Sequence, residues 1–339
     1  MHEKVIHLKH ESYSISIIRI ISMIMIFLCH IVQEHSNSII IQTAQIFNVG
    51  VFVFLFISGF LYGNRDTKNP IVWYKKRAIR ILIPLYTFFL ILFIIDIATD
   101  TLTFNAKYIF IYLFNLQGLL GSIKGSAHLW FLTAIMFCYI ITPILNKYKN
   151  KFTSKNSLLI LIITLINIQI ISTYFINGKL GLYLVYVYTY MLGYFISYLW
   201  KRTITINQSI IFTIATFGAL ILRFASKFIF DGTILYDNVI VLYEQAIFGS
   251  WIFFIIYLLI NLVHKNKDVL TIGKLGKHLD NISFYFYITH YMFIVGPISL
   301  ITLTRSFILN SIIILLISYI FAFLLMKLCN KVQSLLNIN

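Results

Sequence analysis

Charge is what this sequence has least of: 11% of its 339 residues are Asp, Glu, Lys or Arg, and only 11 of them are acidic. A chain this poor in charge and 60% hydrophobic carries more apolar surface than one soluble domain can bury, which excludes an ordinary soluble enzyme and a disordered segment alike. Cysteine is scarce as well. Cys29, Cys138 and Cys329 are odd in number, scattered and set in apolar sequence, which excludes a disulfide framework and a cysteine-based metal site. With 4 prolines and no Pro/Ser/Gly-rich linker, nothing divides the chain into separate soluble domains, and no repeat of fixed period is visible. The shortage of acid leaves a formal charge of +16. Its basic residues form no single patch, so nucleic acid is not the expected partner. They fall in short clusters between apolar runs, the pattern by which membrane topology is written.

What the sequence has in abundance is long apolar runs. About 20 apolar residues cross a bilayer core, and ten stretches meet that requirement: 15-33, 44-63, 81-98, 128-146, 157-176, 180-200, 207-229, 240-263, 281-302 and 306-327. The expected fold is therefore all-α: a polytopic integral membrane protein of about ten transmembrane helices, forming one membrane domain over 1-339 and surrounded by membrane lipids. The segment Tyr108 to Leu120 is too short to span and is interrupted by Asn115, Gln117 and Gly118; it reads as an interfacial or re-entrant piece buried against protein. The start, MHEKVIHLKHES, lacks the pattern of a cleavable signal, so the first run is expected to stay as a membrane helix. With both termini cytoplasmic, six basic residues (Lys107, Lys124, Lys179, Arg223, Lys227 and Arg305) fall outside and the rest inside, which favours the N-in, C-in orientation.

Five stretches carry polar residues where lipid-facing helices have none. The first is RIISMIMIFLCH, Arg19 to His30. Eleven residues bring the helix to within roughly 20° of three whole turns, so both side chains share a stripe and stand roughly 16 Å apart along it. Ionisable groups inside a membrane are costly unless they face protein or water, and Glu34 lies at the i+4 position from His30, where a carboxylate can orient an imidazole. The plainer reading is a snorkelling Arg19 and a core His30 bonded to a carbonyl. The second stretch, GVFVFLFISGFLYG, sets Ser58 and Gly59 among bulky residues; such small residues admit either another helix or a ligand. The third, WYKKRAIRILIPLY, gathers Lys75, Lys76, Arg77 and Arg80 ahead of Pro84. These cations either set topology or bind phosphates of a cytosolic donor. The fourth, HLWFL, contains His128 and Trp130, and the fifth, ISFYFYITHYMF, puts Ser283, Tyr287 and His290 on one helix face.

Together these stretches resemble the integral membrane acyltransferase family often called acyltransferase 3. They occur in family order: Arg, ten residues, His; G-V followed by S-G-F; R-x2-R-x3-P-x-Y; H-L-W-F-L; and S-x3-Y-x2-H, covering residues 19 to 290. Where many members carry an acidic residue five positions after the tryptophan, this chain has Ile135, as in the polysaccharide-modifying subgroup with W-F-L. The resemblance implies O-acetyl transfer at a bacterial cytoplasmic (inner) membrane, with acetyl-CoA or another acyl-CoA as co-substrate and no metal. The acceptor is a surface or lipid-linked polysaccharide of the cell envelope, such as O-antigen, capsule or exopolysaccharide. By that resemblance Arg19 and His30 match the essential pair, and Arg19 with Lys75, Lys76, Arg77 and Arg80 would face the donor. His30 would act as base or acyl carrier with Glu34 assisting it. Ser58, Gly59, His128, Trp130, Tyr287 and His290 would line the acceptor pocket. No esterase-like domain is expected beyond the helices, so transfer would be completed by the membrane domain or handed to polysaccharide-assembly proteins. Two other readings stay open on composition: a polysaccharide flippase lined by the same polar stripe, and a scaffold for an assembly complex.

Overall fold

The structure is a computed structural model that describes residues 2-67, 69-99, 106-152, 179-199, 206-263 and 273-336, with isolated positions between 160 and 171. Among the described residues every regular element is helical, as it must be where lipid offers no hydrogen-bond partner to a bare backbone. The helices are α1 (His2–Gln33), α2 (Ser38–Phe47), α3 (Gly50–Gly63), α4 (Pro70–Thr99), α5 (Ala106–Leu113), α6 (Gln117–Leu120), α7 (Trp130–Tyr148), α8 (Lys179–Leu199), α9 (Ile206–Phe230), α10 (Val241–Val263), α11 (Lys274–Ile294) and α12 (Phe307–Leu335). Local signals place several of their ends. Asn37 caps α2 by accepting from the Ile39 amide, Ser306 caps α12 by accepting from the Leu309 amide at 3.3 Å, and Pro70 opens α4, where its missing N–H costs nothing.

Seven of these stretches are long and apolar enough to cross a membrane: Ser12–Gln33, Ser38–Gly63, Pro70–Thr99, Ala127–Lys151, Ser209–Phe230, Tyr236–Ile260 and Phe307–Leu335. Each matches one expected span, and the chain is a multi-pass membrane protein. The expected spans 180-200 and 281-302 correspond to α8 and α11, helices of 21 residues each; α11 stops at Ile294, eight residues before the expected end. Most of the expected span 157-176 lies outside the described residues. On α4 the helix begins eleven residues earlier than expected, so the basic cluster rides on its first turns and not in a loop.

The described residues divide into two compact units, each assembled from three separate stretches of chain. The first comprises Met1–Ser22, Val49–Pro70 and Phe137–Lys277. At its heart α3 lies backbone to backbone against α8: a Cβ on Gly59 would overlap the Tyr190 carbonyl, and one on Gly193 would overlap the Phe56 carbonyl. Glycine on both partners is what permits this approach. Around the seam pack Phe56, Phe60, Phe253, Phe254 and Tyr257, with ring centroids 4.9 Å apart for both Phe56–Phe253 and Phe60–Phe253. Polar groups in this unit mostly find partners. Ser22 donates to the Gly50 carbonyl, Asn64 to the Ser197 carbonyl, and the Thr142 and Tyr190 hydroxyls are 2.5 Å apart.

The second unit comprises Met23–Asn48, Ile71–Met136 and His278–Asn339. Here the interrupted segment of α5 and α6 folds over the start of α7. Asn115, left-handed at φ 54, donates to the Leu132 carbonyl at 3.0 Å. Gln117 donates to the Leu129 carbonyl at 3.0 Å, and Thr133 donates back to the Asn115 carbonyl at 2.8 Å. Asn115 and Gln117 are accordingly buried while Phe110, Leu113 and Phe114 remain exposed. The polar interruption thus clamps the first turn of α7, directly after the short turn that holds His128.

Candidate active site

His30, His128 and His290 come together inside the second unit. His30 lies in the last turn of α1, His128 in a single 3-10 turn just before α7, and His290 in the last half of α11. Their ring centroids are 5.0 Å apart for His128–His290, 5.4 Å for His30–His290 and 6.2 Å for His30–His128. His128 and His290 are almost completely buried, at 2% and 1% exposure. Aromatic rings enclose the group: Phe286 stacks on His290 at 5.7 Å and Phe27 meets it edge-on at 6.1 Å. Tyr291 stands 4.8 Å from His30 and 4.9 Å from His128.

Two devices set His128 in place. The first is the loop before it, where Gly125 at φ +82 lies so close to Gly296 that a Cβ would come within 2.7 Å of that residue's Cα; only glycine fits such a contact at that φ. The second is a reciprocal pair of hydrogen bonds to α11. The His128 Nε2–H donates to the Tyr287 carbonyl at 2.8 Å, and the Tyr287 hydroxyl donates to the His128 carbonyl. The HLWFL and ISFYFYITHYMF stretches, 159 residues apart at these positions, therefore form one structure. Phe131, on α7, adds an edge-on contact to Tyr287 at 5.5 Å.

His290 is held differently, by its own helix: its Nδ1–H donates to the Phe286 carbonyl at 3.0 Å. A carbonyl only accepts, so these bonds fix the proton on Nε2 of a neutral His128 and on Nδ1 of a neutral His290. The other nitrogen of each ring, His128 Nδ1 and His290 Nε2, is buried without a hydrogen-bond partner, and so is His30 Nδ1. Buried polar atoms are nearly always paired. Three that are not, on three imidazoles side by side, form a site prepared for hydrogen-bonding partners or for protons. Among the described residues no group of three His, Cys, Asp or Glu side chains is arranged to hold a metal ion.

The remaining residues singled out in the sequence are placed as follows. Arg19 shares the uninterrupted helix α1 with His30, so their helical spacing holds, but it falls in the first unit, where its guanidinium is 3.5 Å from the Ser16 hydroxyl. Glu34 stands one residue past the end of α1, exposed in a turn with its amide donating to the Ile31 carbonyl at 3.1 Å, and among the described residues it makes no hydrogen bond to His30. Gly59 belongs to the α3–α8 seam, where the Tyr190 carbonyl fills the space that a ligand would need, and the half-buried Ser58 precedes it in the same helix of the first unit. Trp130 is half-buried at the start of α7, 6.4 Å from Phe131. Lys75, Lys76 and Arg80 are exposed on α4, and Arg77 lies over the Trp73 ring at 4.7 Å.

Two features escaped the sequence reading. Tyr291, next to His290 in sequence, carries no signal of its own in an aromatic-rich run, yet its ring reaches both other histidines. The second is Glu244, a carboxylate 3% exposed that pairs with Arg223 at 2.6 Å within the first unit. Arg223 sits on α9, inside the expected span 207-229, and the signal for the pair is an acidic residue inside an apolar run.

An all-helical membrane protein with three neighbouring imidazoles, each keeping a buried ring nitrogen without a partner, has the construction of a membrane enzyme handling protons or hydroxyl groups. A sequence profile described as an acyltransferase domain, that of acyltransferase 3, matches residues 12–327. The match takes in every residue of the site, and the chain belongs to that family and is a membrane acyltransferase. No curated protein and no solved structure matches the chain.

Proposed function

We propose that this acyltransferase moves an acetyl or similar short acyl group from cytosolic acyl-CoA to a hydroxyl of a bacterial cell-surface polysaccharide, within the cytoplasmic membrane. The observation that carries the reading is the histidine cluster, with three buried and unpaired ring nitrogens. An alcohol is a weak nucleophile near neutral pH, and a positioned imidazole activates it by taking its proton as the oxygen attacks. In the overall step the hydroxyl O–H and the thioester C–S bonds break and an ester C–O bond forms. The proton ends on the CoA thiol. His30 takes this proton, or first carries the acyl group on its ring; a burst of labelled acyl-protein on mixing with acetyl-CoA distinguishes the second route from the first.

On the donor side, Lys75, Lys76 and Arg80 are exposed and form no ion pair among the described residues, so their charge is available to the phosphates of a CoA ester. Arg77, anchored over Trp73, would present a planar fork beside them. Arg19, on the same helix stripe as His30, would meet the donor nearer the thioester. The lipid-linked or surface saccharide would enter against His128, His290 and Tyr287.

The test is acetyl content of the surface polysaccharide in cells whose only copy carries His30→Ala or Arg19→Ala. Loss of a catalytic base lowers the rate about 100-fold or more, so acetylation should disappear while protein level is unchanged. Normal acetylation in both strains would overturn the reading, as would saccharide translocation by purified protein that never consumes acetyl-CoA.

A further inference from the structure

His128 and His290 are fixed by the fold in a way that His30 is not. In a neutral imidazole one nitrogen donates and the other accepts. Backbone carbonyls take the donor of His128 (Tyr287, 2.8 Å, and Ile288, 3.2 Å) and the donor of His290 (Phe286, 3.0 Å). What remains on each ring is a lone pair, at His128 Nδ1 and His290 Nε2, buried and without a partner. Neither ring can turn over to offer an N–H without breaking a bond that holds α7 or α11 in place. His30 has no carbonyl partner of this kind; the neighbour able to bond its ring is the Gln33 side chain, whose amide donates or accepts by rotation.

We propose that His128 Nδ1 and His290 Nε2 bind the acceptor as a pair of obligate hydrogen-bond acceptors, so that the preferred acceptor presents two neighbouring hydroxyl groups, a saccharide diol. One O–H carries one proton and satisfies one lone pair. Two buried lone pairs on rings 5.0 Å apart therefore require two donor groups, and a substrate with a single hydroxyl leaves one of them unpaired among the rings of Phe27, Phe286 and Tyr291. That mismatch is penalised far more than a missing contact in water would be. His30, whose tautomer is free, is left as the ring that handles the transferred proton. The assignment rests on the transferase reading for its naming of the diol as acceptor, but binding of the diol is measurable without any acyl donor.

The experiment measures binding of methyl hexopyranosides of the gluco, galacto, manno and rhamno series, each against analogues lacking one ring hydroxyl, to the purified full chain in detergent or nanodiscs. At least one diol should bind about tenfold or more tightly than its deoxy analogue. Two variants then keep the structural bond while leaving no acceptor at the position of His128 Nδ1 or of His290 Nε2, the amide oxygen standing elsewhere. In His128→Gln the amide nitrogen takes the place of Nε2 and still donates to the Tyr287 carbonyl; in His290→Asn it takes the place of Nδ1 and still donates to the Phe286 carbonyl. In both, the preference for the diol should fall below about threefold. A ratio near one throughout the wild-type series, or an unchanged ratio in both variants, overturns the proposal, and the wild-type ratio decides alone should either variant fail to fold. A glycoside that binds with the expected ratio but receives no acyl group from acetyl-CoA would overturn the proposed transfer from acetyl-CoA to a saccharide and leave the diol assignment standing.

Discussion

The unit built on α3, α8 and α10 and the unit that carries the histidines treat buried polarity differently. In the first, polar groups are matched locally: Asn64 to the Ser197 carbonyl, Thr142 to Tyr190, Glu244 to Arg223, with the Ser14 and Tyr243 hydroxyls as scattered exceptions. In the second, an equally ordered framework of Asn115, Gln117, Thr133 and Tyr287 leaves three imidazole nitrogens unpaired at one point. Where hydrogen bonds are complete, a membrane bundle gains packing and nothing else. Where three neighbouring rings are held in place and each keeps an unpaired nitrogen, with the Gln117 amide oxygen and the Ser318 hydroxyl unpaired elsewhere in the same unit, binding energy is held for a ligand.

Substitutions sharpen this contrast, and the largest effect belongs to the first unit. Gly59→Val drives a branched side chain into the Tyr190 carbonyl, which overpacking places at about 3 kcal/mol or more; thermal unfolding in detergent should show loss of a cooperative transition. Next, Glu244→Leu removes the carboxylate that pairs with the partly exposed Arg223 at 2.6 Å and should cost about 1–3 kcal/mol, most of it recovered in the Arg223→Met/Glu244→Leu double variant. Acyl transfer per folded molecule should remain near wild type in that double variant, and a large loss there would break the division between a packed unit and a reactive one. Tyr287→Phe removes a single donor to the His128 carbonyl, worth about 1 kcal/mol of stability. Its acyl-transfer rate should fall by more than that stability change explains, since His128 loses one of the three hydrogen bonds that tie it to α11. The smallest effect is expected from Lys75→Gln/Lys76→Gln: the melting temperature should not move, while the KM for acyl-CoA rises about threefold to tenfold and the rise vanishes in high salt.

The sequence was most readable where one physical rule acts alone. Apolar runs identified most of the membrane helices because length and hydropathy suffice, and Asn115 and Gln117 already marked the break between α5 and α6. Ends were less readable: α4 starts far upstream of its apolar run because Pro70 supplies a helix start that hydropathy ignores, and α11 stops at Ile294 because the chain turns at Gly296 and Pro297. His30, His128 and His290 stood out singly as costly residues in apolar sequence. Helical spacing alone placed Glu34 within reach of His30, whereas α1 ends at Gln33, and it gave no sign of Tyr291. Gly59 was ambiguous between helix and ligand, and only its neighbour, the Tyr190 carbonyl, resolved it.

By itself, then, the sequence determined an all-helical membrane chain, the motifs that make it an acyltransferase, and the identity of the residues too polar for lipid, since each of these depends on local composition and spacing. The tertiary structure decided that His30, His128 and His290 share one enclosure, which nitrogen of His128 and His290 is left free, and that Arg223 and Glu244 neutralise each other. These depend on which backbone carbonyl or side chain lies opposite, and partners 159 residues apart meet only when the helices have packed.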